Sequence, residues 1–296
     1  MNKSRRRRAG ARAEVGAPPV THLSPGCRVA GYTVADIIQY DGFVTTYRAR
    51  GVRHGGDVLL REYFPAALAA RNDDGSIAAS APDREGEYMR GLERFLKLAG
   101  RLAAVRHPNI AEVADVVALN GTGFLVTVEH DRETLQQRYA ERQRFPAEEV
   151  LALALALLGG LEVLHLAGMV HGDVREGSVQ FRGEVPQLLH SPASLLANFR
   201  RMTLTVPSID PRLNPAADPD RTQDLYDFAL LLHRLAKGKS ARQETGPDDP
   251  RSALLRAVLR VVERAFSGPR EYRPRSAGEW RGEFEMVREL PGTEAH

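Results

Sequence analysis

The pattern of apolar and polar residues changes along the chain, from short strand-like runs to longer helix-like ones. Before about residue 129, runs rich in β-branched and aromatic residues are separated by turn signals such as Asn120-Gly121, a pair that favours a tight hairpin. These runs predict strands over Tyr32–Ile38, Phe43–Arg48, Val58–Glu62, Ile110–Leu119 and Phe124–Glu129. One helix is expected among them, over Glu87–Val105, because apolar residues recur there every three or four positions.

After residue 129 the apolar spacing becomes helical. It predicts helices over Thr134–Arg142, Glu148–Ala167, Thr222–Leu235, Ser252–Phe266 and Ser276–Leu290, and an irregular, proline-rich segment over 171–220. A strand-rich half followed by a helix-rich half predicts an α+β protein with two lobes, joined near residues 129–133.

Leu151 to Leu166 is the most apolar stretch of the chain. It is shorter than a bilayer span and contains two glycines and a glutamate. We therefore expect a buried core helix there and no transmembrane segment.

Charge and cysteine content leave the predicted fold unchanged and add expectations about the N-terminal tail and the cellular compartment. The net charge of +3 comes from a basic start, with Arg5, Arg6, Arg7 and Arg8 in a row, whereas the remainder is slightly acidic. Such a run predicts a disordered, solvated tail, although it also suits contact with a polyanion. The single cysteine, Cys27, excludes an internal disulfide framework and fits a reducing compartment, so we expect a cytoplasmic location.

Several short motifs occur in a fixed order between about Gly31 and Val287. They are Ile37–Tyr47, Val58–Pro65, His107-Pro108-Asn109-Ile110, His171-Gly172-Asp173-Val174-Arg175, Asp224-Leu225-Tyr226 and Arg273-Pro274. In this order and at these spacings they resemble the bacterial Ser/Thr protein kinase family. There they correspond to the glycine-rich hairpin, the strand with the ATP-binding lysine, the segment after the small-lobe helix, the catalytic loop, a central helix and a late arginine motif.

The resemblance implies a two-lobed α+β protein kinase-like domain over residues 29–290. Its N-terminal lobe is expected over about 29–129 and its C-terminal lobe over about 134–290. Residues 1–28 are then a disordered basic tail, and residues 291–296 a short C-terminal tail.

The nucleotide-binding positions implied by the resemblance are altered. At the three glycine positions of the loop the chain has Gln39, Asp41 and Val44, and only the adjacent Gly42 remains. Because the family's glycines let backbone N–H groups approach the phosphates, we expect this loop to be a hairpin turn.

The lysine position of the family holds Arg61, and the position of its glutamate partner on the helix holds Leu98. The guanidinium is a poor substitute for a compact ammonium at a fitted site. Glu93 and Glu62 are the alternative carboxylates that a structural role of Arg61 would use.

Leu59 and Gln180 correspond to the residues that line the adenine slot of the family. A bulkier leucine and a polar glutamine both weaken a flat apolar slot. We therefore expect a pocket filled by side chains.

The metal positions are the most strongly altered. The family's catalytic-loop asparagine corresponds to Ser178, and the aspartate of its Asp-Phe-Gly motif corresponds to His190. Mg²⁺ requires hard oxygen ligands, whereas imidazole suits Zn or Cu. We expect no metal site and no ATP or Mg²⁺ cofactor.

Asp173 and Arg175 remain at the positions of the catalytic base and of a phosphate-contacting lysine. Asp173 is a candidate base, or it holds its loop by accepting backbone N–H bonds. Gly172 replaces the arginine that reads activation-loop phosphorylation. Further on, Asp210-Pro211-Arg212 replaces Ala-Pro-Glu, the motif whose glutamate would pair with Arg273.

Together these replacements predict a pseudokinase that regulates or scaffolds a protein partner of unknown identity. The alternative is a weak or atypical ATP-dependent Ser/Thr kinase that uses Asp173 and Arg175. Scaffold positions such as Asp224 are intact, which fits a retained fold with a changed function.

Overall fold

The structure is a computed structural model, and it describes residues 22–51, 56–129, 133–142, 145–201, 221–238, 250–266 and 274–290. Several sequence predictions lie outside these residues. They concern the basic run Arg5–Arg8, the Asp210-Pro211-Arg212 motif, Arg273 and the C-terminal tail at 291–296.

The N-terminal lobe is built on one antiparallel sheet. Its strands are β1 Arg28–Val29, β2 Tyr32–Tyr40, β3 Val44–Gly51, β4 Asp57–Tyr63, β7 Val113–Leu119 and β8 Thr122–Val128. Their order across the sheet is β1-β2-β3-β4-β8-β7. The β7–β8 hairpin turns at Asn120 and Gly121, both with positive φ, as the Asn-Gly signal predicts.

Two further elements complete this lobe. A small hairpin of β5 Ala69–Arg71 and β6 Ile77–Ala79 follows β4, and the helix α1 Glu85–Ala104 begins after a short 3₁₀ turn at Pro82–Arg84.

The sheet of the N-terminal lobe carries an apolar core on each face. On one face Phe95 and Leu98 of α1 pack with Tyr63 and Leu125. On the other face the sheet packs with residues 22–29, which include Leu23 and Val29. The packed structure therefore extends into residues 22–28, which the sequence assigned to the tail. The reason is local: the N–H of Leu23 donates to the Tyr47 hydroxyl oxygen at 3.1 Å, and β1 pairs with β2.

The C-terminal lobe consists mostly of helices. They are α2 Leu135–Glu141, α3 Ala147–Leu166, α4 Pro192–Arg201, α5 Arg221–Lys237, α6 Pro250–Glu263 and α7 Ala277–Arg288, with a hairpin of β9 Val179–Arg182 and β10 Val185–Leu188 after a 3₁₀ turn at Glu176–Ser178. Phe228, Trp280 and Phe284 pack edge to face or tilted in the centre of this core.

α3 is the core helix that the sequence predicts. By length and composition alone it could cross a membrane, and it is the one such helix in the part of the chain described. Its apolar residues, among them Val150, Leu157 and Leu161, are buried in the C-terminal core.

Most elements agree with the sequence predictions within a few residues, but two regions do not. Residues 171–220 were expected to be irregular, and the structure places β9, β10 and α4 within the described part of that range. The hairpin of β5 and β6 was also missed. Its strands are three residues long, too short to show an alternating pattern.

Candidate functional site

The loop that resembles the catalytic loop is anchored by Asp224, a fully buried residue near the start of α5. Its Oδ2 accepts from the backbone N–H of His171 at 2.7 Å, and its Oδ1 accepts from that of Gly172 at 2.6 Å. The Nε2 of His165 lies 2.8 Å from Oδ2. One carboxylate thus fixes the conformation of the loop, because backbone N–H bonds to a charged acceptor are strong.

His171 continues this framework toward the segment that follows β10. Its Nδ1 accepts from the N–H of Asp173 at 3.3 Å, so Nε2 carries the proton that is donated to the carbonyl of Leu189 at 3.0 Å. Burial lowers the pKa of this imidazole, in spite of the nearby carboxylates of Asp224 and Asp173. A neutral imidazole therefore joins the two segments.

Asp173, the candidate base, is engaged by side chains of its own chain. Its Oδ1 lies 2.7 Å from Nε of Arg175, and its Oδ2 accepts from the hydroxyl of Ser191 at 2.6 Å. These contacts differ from the backbone N–H bonds that one reading of the sequence expected. Arg175 is half exposed, and it interacts with the carboxylate two residues before it.

Ser178 stands at one of the two metal positions, and its hydroxyl is used within the loop. The Oγ accepts from the N–H of Arg175 at 3.1 Å and donates to the carbonyl of the same residue at 2.9 Å. The side chain is buried, so its hydrogen-bonding capacity closes the 3₁₀ turn at Glu176–Ser178.

His190 stands at the other metal position and is 1% exposed. Its ring hydrogen-bonds to the backbone of Ala111, and its Nε2 has no hydrogen-bond partner. Burial, helped by the positive charge of Arg61, lowers the pKa of this imidazole to about 3, so the ring is neutral near pH 7.

Arg61 in β4 is 2% exposed, and its Nη1 donates to the hydroxyl oxygen of Thr127 at 2.7 Å. Neither carboxylate suggested by the sequence pairs with it, because Glu93 is exposed on α1 and Glu62 accepts from Arg71. Its Nε has no partner, and burial lowers the pKa of the guanidinium to about 10.

Leu98, at the position of the family's helix glutamate, is fully buried in the apolar core between α1 and the sheet. An ion pair between α1 and β4 at this place is therefore replaced by apolar packing.

The hairpin at Gly42 uses its polar residues to form a turn. Gly42 has a φ of +87°, and the carboxylate of Asp41 accepts from the N–H groups of Phe43 and Val44 at 2.9 and 2.8 Å. This is the local geometry by which aspartate stabilises a turn. Two backbone N–H groups at the tip are thus satisfied by the chain itself.

Leu59 and Gln180, which correspond to the adenine slot, are both buried. The side-chain amide of Gln180 lies 3.4 Å from Oε1 of Gln187, whose own Nε2 donates to the carbonyl of Pro108 at 3.0 Å. The polar group at this position therefore hydrogen-bonds within the protein.

At the two positions that correspond to the family's metal ligands, the described side chains do not fit Mg²⁺. Among the described residues no group of three or more His, Cys, Asp and Glu side chains could hold a metal ion. The two family positions supply a hydroxyl already used twice and a neutral imidazole, whereas Mg²⁺ takes carboxylate, amide and water oxygens in an octahedron.

Ser191 is the residue of this region that sequence reasoning missed. The sequence shows it directly before Pro192, a combination typical of a helix start, and the helix that follows brings its hydroxyl to Asp173.

Comparison with known proteins places this arrangement in a family. No protein-family model matches the chain. The chain is 30% identical over 233 residues to the serine/threonine-protein kinase PknI of Mycobacterium tuberculosis, an alignment that covers 77% of this chain and 36% of PknI. It is 27% identical over 228 residues to PknK of the same organism, covering 68% of this chain and 20% of PknK.

Solved structures of kinase domains match the fold of this chain. The crystal structure of the M. tuberculosis PknI kinase domain matches with a TM-score of 0.59 and 25% identity, covering 91% of this chain and all of that domain. The structure described as the apo form of PpkA-294 matches in fold, with a TM-score of 0.64 and 24% identity over 89% of this chain.

The chain therefore has the two-lobed protein kinase-like fold, and it belongs to the protein kinase-like family together with bacterial Ser/Thr kinases. It spans about a third of the length of PknI.

Proposed function

We propose that this kinase-like domain is a pseudokinase, which lacks phosphoryl transfer and acts by binding a protein partner. The observation that carries the proposal is the state of the two metal positions. Ser178 is bonded twice within its own loop, and His190 is a buried, neutral imidazole. Phosphoryl transfer depends on metal ions that neutralise the developing charge, and neither side chain suits Mg²⁺.

The phosphate-binding side of the site supports the same proposal. Arg61 bonds to Thr127, and none of the carboxylates in the described part of the chain forms an ion pair with it. The turn at Gly42 is closed by Asp41, which adds negative charge where the phosphates of a nucleotide would lie.

The alternative, a weak Ser/Thr kinase, has one observation in its favour. Asp173 and Arg175 lie together on a loop fixed by Asp224, so a carboxylate and a cation are available. That carboxylate is, however, already bonded on both oxygens.

A nucleotide titration followed by thermal unfolding tests the proposal. A ligand at about 100 times its Kd stabilises the folded state by about 2.7 kcal/mol, which raises the melting temperature by several degrees. We expect no metal-dependent shift with ATP and Mg²⁺ or Mn²⁺. The same titration on the double variant Ser178→Asn and His190→Asp shows whether the family's ligands alone restore metal dependence.

A metal-dependent shift in the unmodified chain, joined to phosphate transfer that Asp173→Asn abolishes, would establish the kinase alternative.

We also propose a cytoplasmic location, from the single cysteine, and contact of the basic run Arg5–Arg8 with a polyanion as a secondary interaction.

A further inference from the structure

The helix α4 begins with a well-defined cap, in a segment where the sequence predicted irregular chain. The Oγ of Ser191 accepts from the N–H of Ser194 at 3.1 Å, and its carbonyl accepts from the N–H of Leu195 at 2.9 Å. Pro192 occupies the first helical position, where its missing N–H costs nothing. The helix is therefore specified by local residues, independently of any ligand.

One side of α4 is part of the apolar core of the N-terminal lobe. Leu195, Leu196 and Phe199 are buried in the cluster formed by α1 and the sheet. The ring of Phe199 lies 4.8 Å from that of Phe43, beside the Gly42 turn, and 6.2 Å from that of Tyr63 at the end of β4, measured between centroids. Aromatic contacts at these distances add to the energy of burial.

Another side of α4 is bonded to the C-terminal lobe. The buried amide of Asn198 accepts from the N–H of Val170 at 3.1 Å and donates to the carbonyl of the same residue at 2.6 Å. Val170 directly precedes the catalytic-type loop. Two adjacent residues of one helix, Asn198 and Phe199, thus attach it to both lobes.

Gly172 allows this close approach. It has a φ of +71°, and a Cβ built on it would lie 2.5 Å from the Cβ of Ala197. Real Cβ atoms do not approach so closely, so a side chain at this position requires α4 or the loop itself to shift. The close approach of α4 therefore explains why Gly172 replaces the family's arginine. The altered metal positions do not explain this replacement.

The start of the same segment also engages the candidate base. The hydroxyl of Ser191 donates to Oδ2 of Asp173 at 2.6 Å, which is the bond that the hydroxyl of a substrate would make to a catalytic base. The residue that caps α4 thus also occupies the Asp173 carboxylate.

We propose that Ser191–Phe199 forms an intramolecular clamp, the α4 clamp, which holds the two lobes in one arrangement and closes Asp173 to any external hydroxyl. The clamp rests on Gly172, Asn198 and Phe199, so it does not depend on whether the chain is a pseudokinase. In an active kinase it would be an autoinhibitory contact, and in a pseudokinase it fixes the surface that a partner meets.

Hydrogen–deuterium exchange of the α4 amides tests the clamp with a matched pair of variants of the full chain. Gly172→Ala and Gly183→Ala both introduce a side chain at positive φ, but only the first collides with α4, since nothing lies within 4 Å of the Cβ built at Gly183. We expect exchange in residues 192–201 to become about tenfold faster or more in Gly172→Ala, because overpacking by one methyl group weakens docking. Gly183→Ala should leave it unchanged.

Two further variants separate release of the clamp from general unfolding. Adding Ala197→Gly to Gly172→Ala removes the colliding atom. Exchange of the α4 amides in the double variant should therefore be as slow as in Ala197→Gly alone. Asn198→Ala should also release α4, because it removes both bonds to the backbone of Val170. In each variant α3 and α5 serve as internal references that keep their protection.

Equal α4 exchange in Gly172→Ala and Gly183→Ala, or α4 amides unprotected in the unmodified chain, would overturn the clamp. The nucleotide titration on Gly172→Ala then separates the two proposals. Faster α4 exchange without a metal-dependent thermal shift supports both. Faster exchange with a new shift keeps the clamp as an autoinhibitory contact and removes the pseudokinase proposal.

Discussion

Arg61 and Glu62 are consecutive residues of β4, and both are buried, but they lie on opposite faces of the sheet in very different surroundings. Glu62 accepts from the Tyr47 hydroxyl at 2.8 Å and from Nη2 of Arg71, which reaches it from the short hairpin after β4. Arg61 lies near the imidazole of His190 and has Thr127 as its hydrogen-bond partner.

The difference shows which buried charge supports the fold. The Arg71 side chain also donates to the carbonyl of Gly75 at 2.8 Å, so the pair joins the hairpin to the sheet with its charges compensated. Although burial raises the pKa of the Glu62 carboxyl, the nearby Arg71 opposes that rise. Arg61, by contrast, is a buried cation that bonds to no carboxylate among the described residues, although the charge of Glu129 acts on it from a longer distance. We therefore expect its charge to contribute little to the stability of the fold.

Breaking the ion pair between Arg71 and Glu62 should have the largest effect on the free energy of unfolding. Arg71→Met leaves Glu62 buried without a cation, and we expect the free energy of unfolding to fall by about 3–5 kcal/mol. Urea unfolding followed by circular dichroism measures this. The control is Arg50→Met, because Arg50 is 82% exposed and its pair with Asp57 is worth at most about 1 kcal/mol. Equal losses in the two variants would contradict the comparison.

On the side of the sheet where Arg61 and His190 lie, the expected effect is a dependence of stability on pH. Since the pKa of His190 falls from an ordinary 6.5 to about 3, the unfolded chain binds a proton between these values that the folded chain does not. Stability is therefore complete above pH 6.5 and is lost as the pH falls toward 3. In His190→Gln we expect this slope to be smaller by up to about 1.4 kcal/mol per pH unit.

Unfolding by urea at a series of pH values between neutral and mildly acidic measures the slope. His233→Gln is the control, because that imidazole is only partly buried and its pKa is lowered in a more accessible place. An unchanged slope in His190→Gln would show that the imidazole is charged or accessible in the folded chain.

Removing the unpaired cation should have the smallest effect. Arg61→Met replaces a buried charge by an apolar side chain of similar length, so the free energy of unfolding should stay within about 1 kcal/mol of the original or rise. The same urea experiment measures it. A loss as large as that of Arg71→Met would mean that Arg61 is held by a strong partner, and would place it with Glu62 as a structural charge.

The sequence predicted the fold well because the kinase-like motifs are local and occur in order. The helix that carries Asp224 is recognisable from its own apolar spacing, and the hairpin at Asn120 from two residues. The sequence also indicated that Leu98 replaces the family's helix glutamate, and the structure adds that the leucine fills an apolar core.

Contacts between distant parts of the chain could not be predicted in this way. The partner of Glu62 is Arg71, on a hairpin whose strands are too short to show a pattern. α4 was missed because its apolar residues are buried against a different lobe, although the Ser191-Pro192 pair marks its start. The pairing of Ser191 with Asp173 follows only from that docking.

The position of Phe199 also has a consequence for the order in which the protein is made. The core of the N-terminal lobe contains Phe43, Tyr63 and Phe95 from the first part of the chain, but Phe199 joins it from about a hundred residues later. During synthesis the N-terminal lobe emerges with an apolar gap that later residues fill, among them those of α4, and such exposed surface favours association with other chains. A fragment that ends after β8 therefore carries an incomplete core.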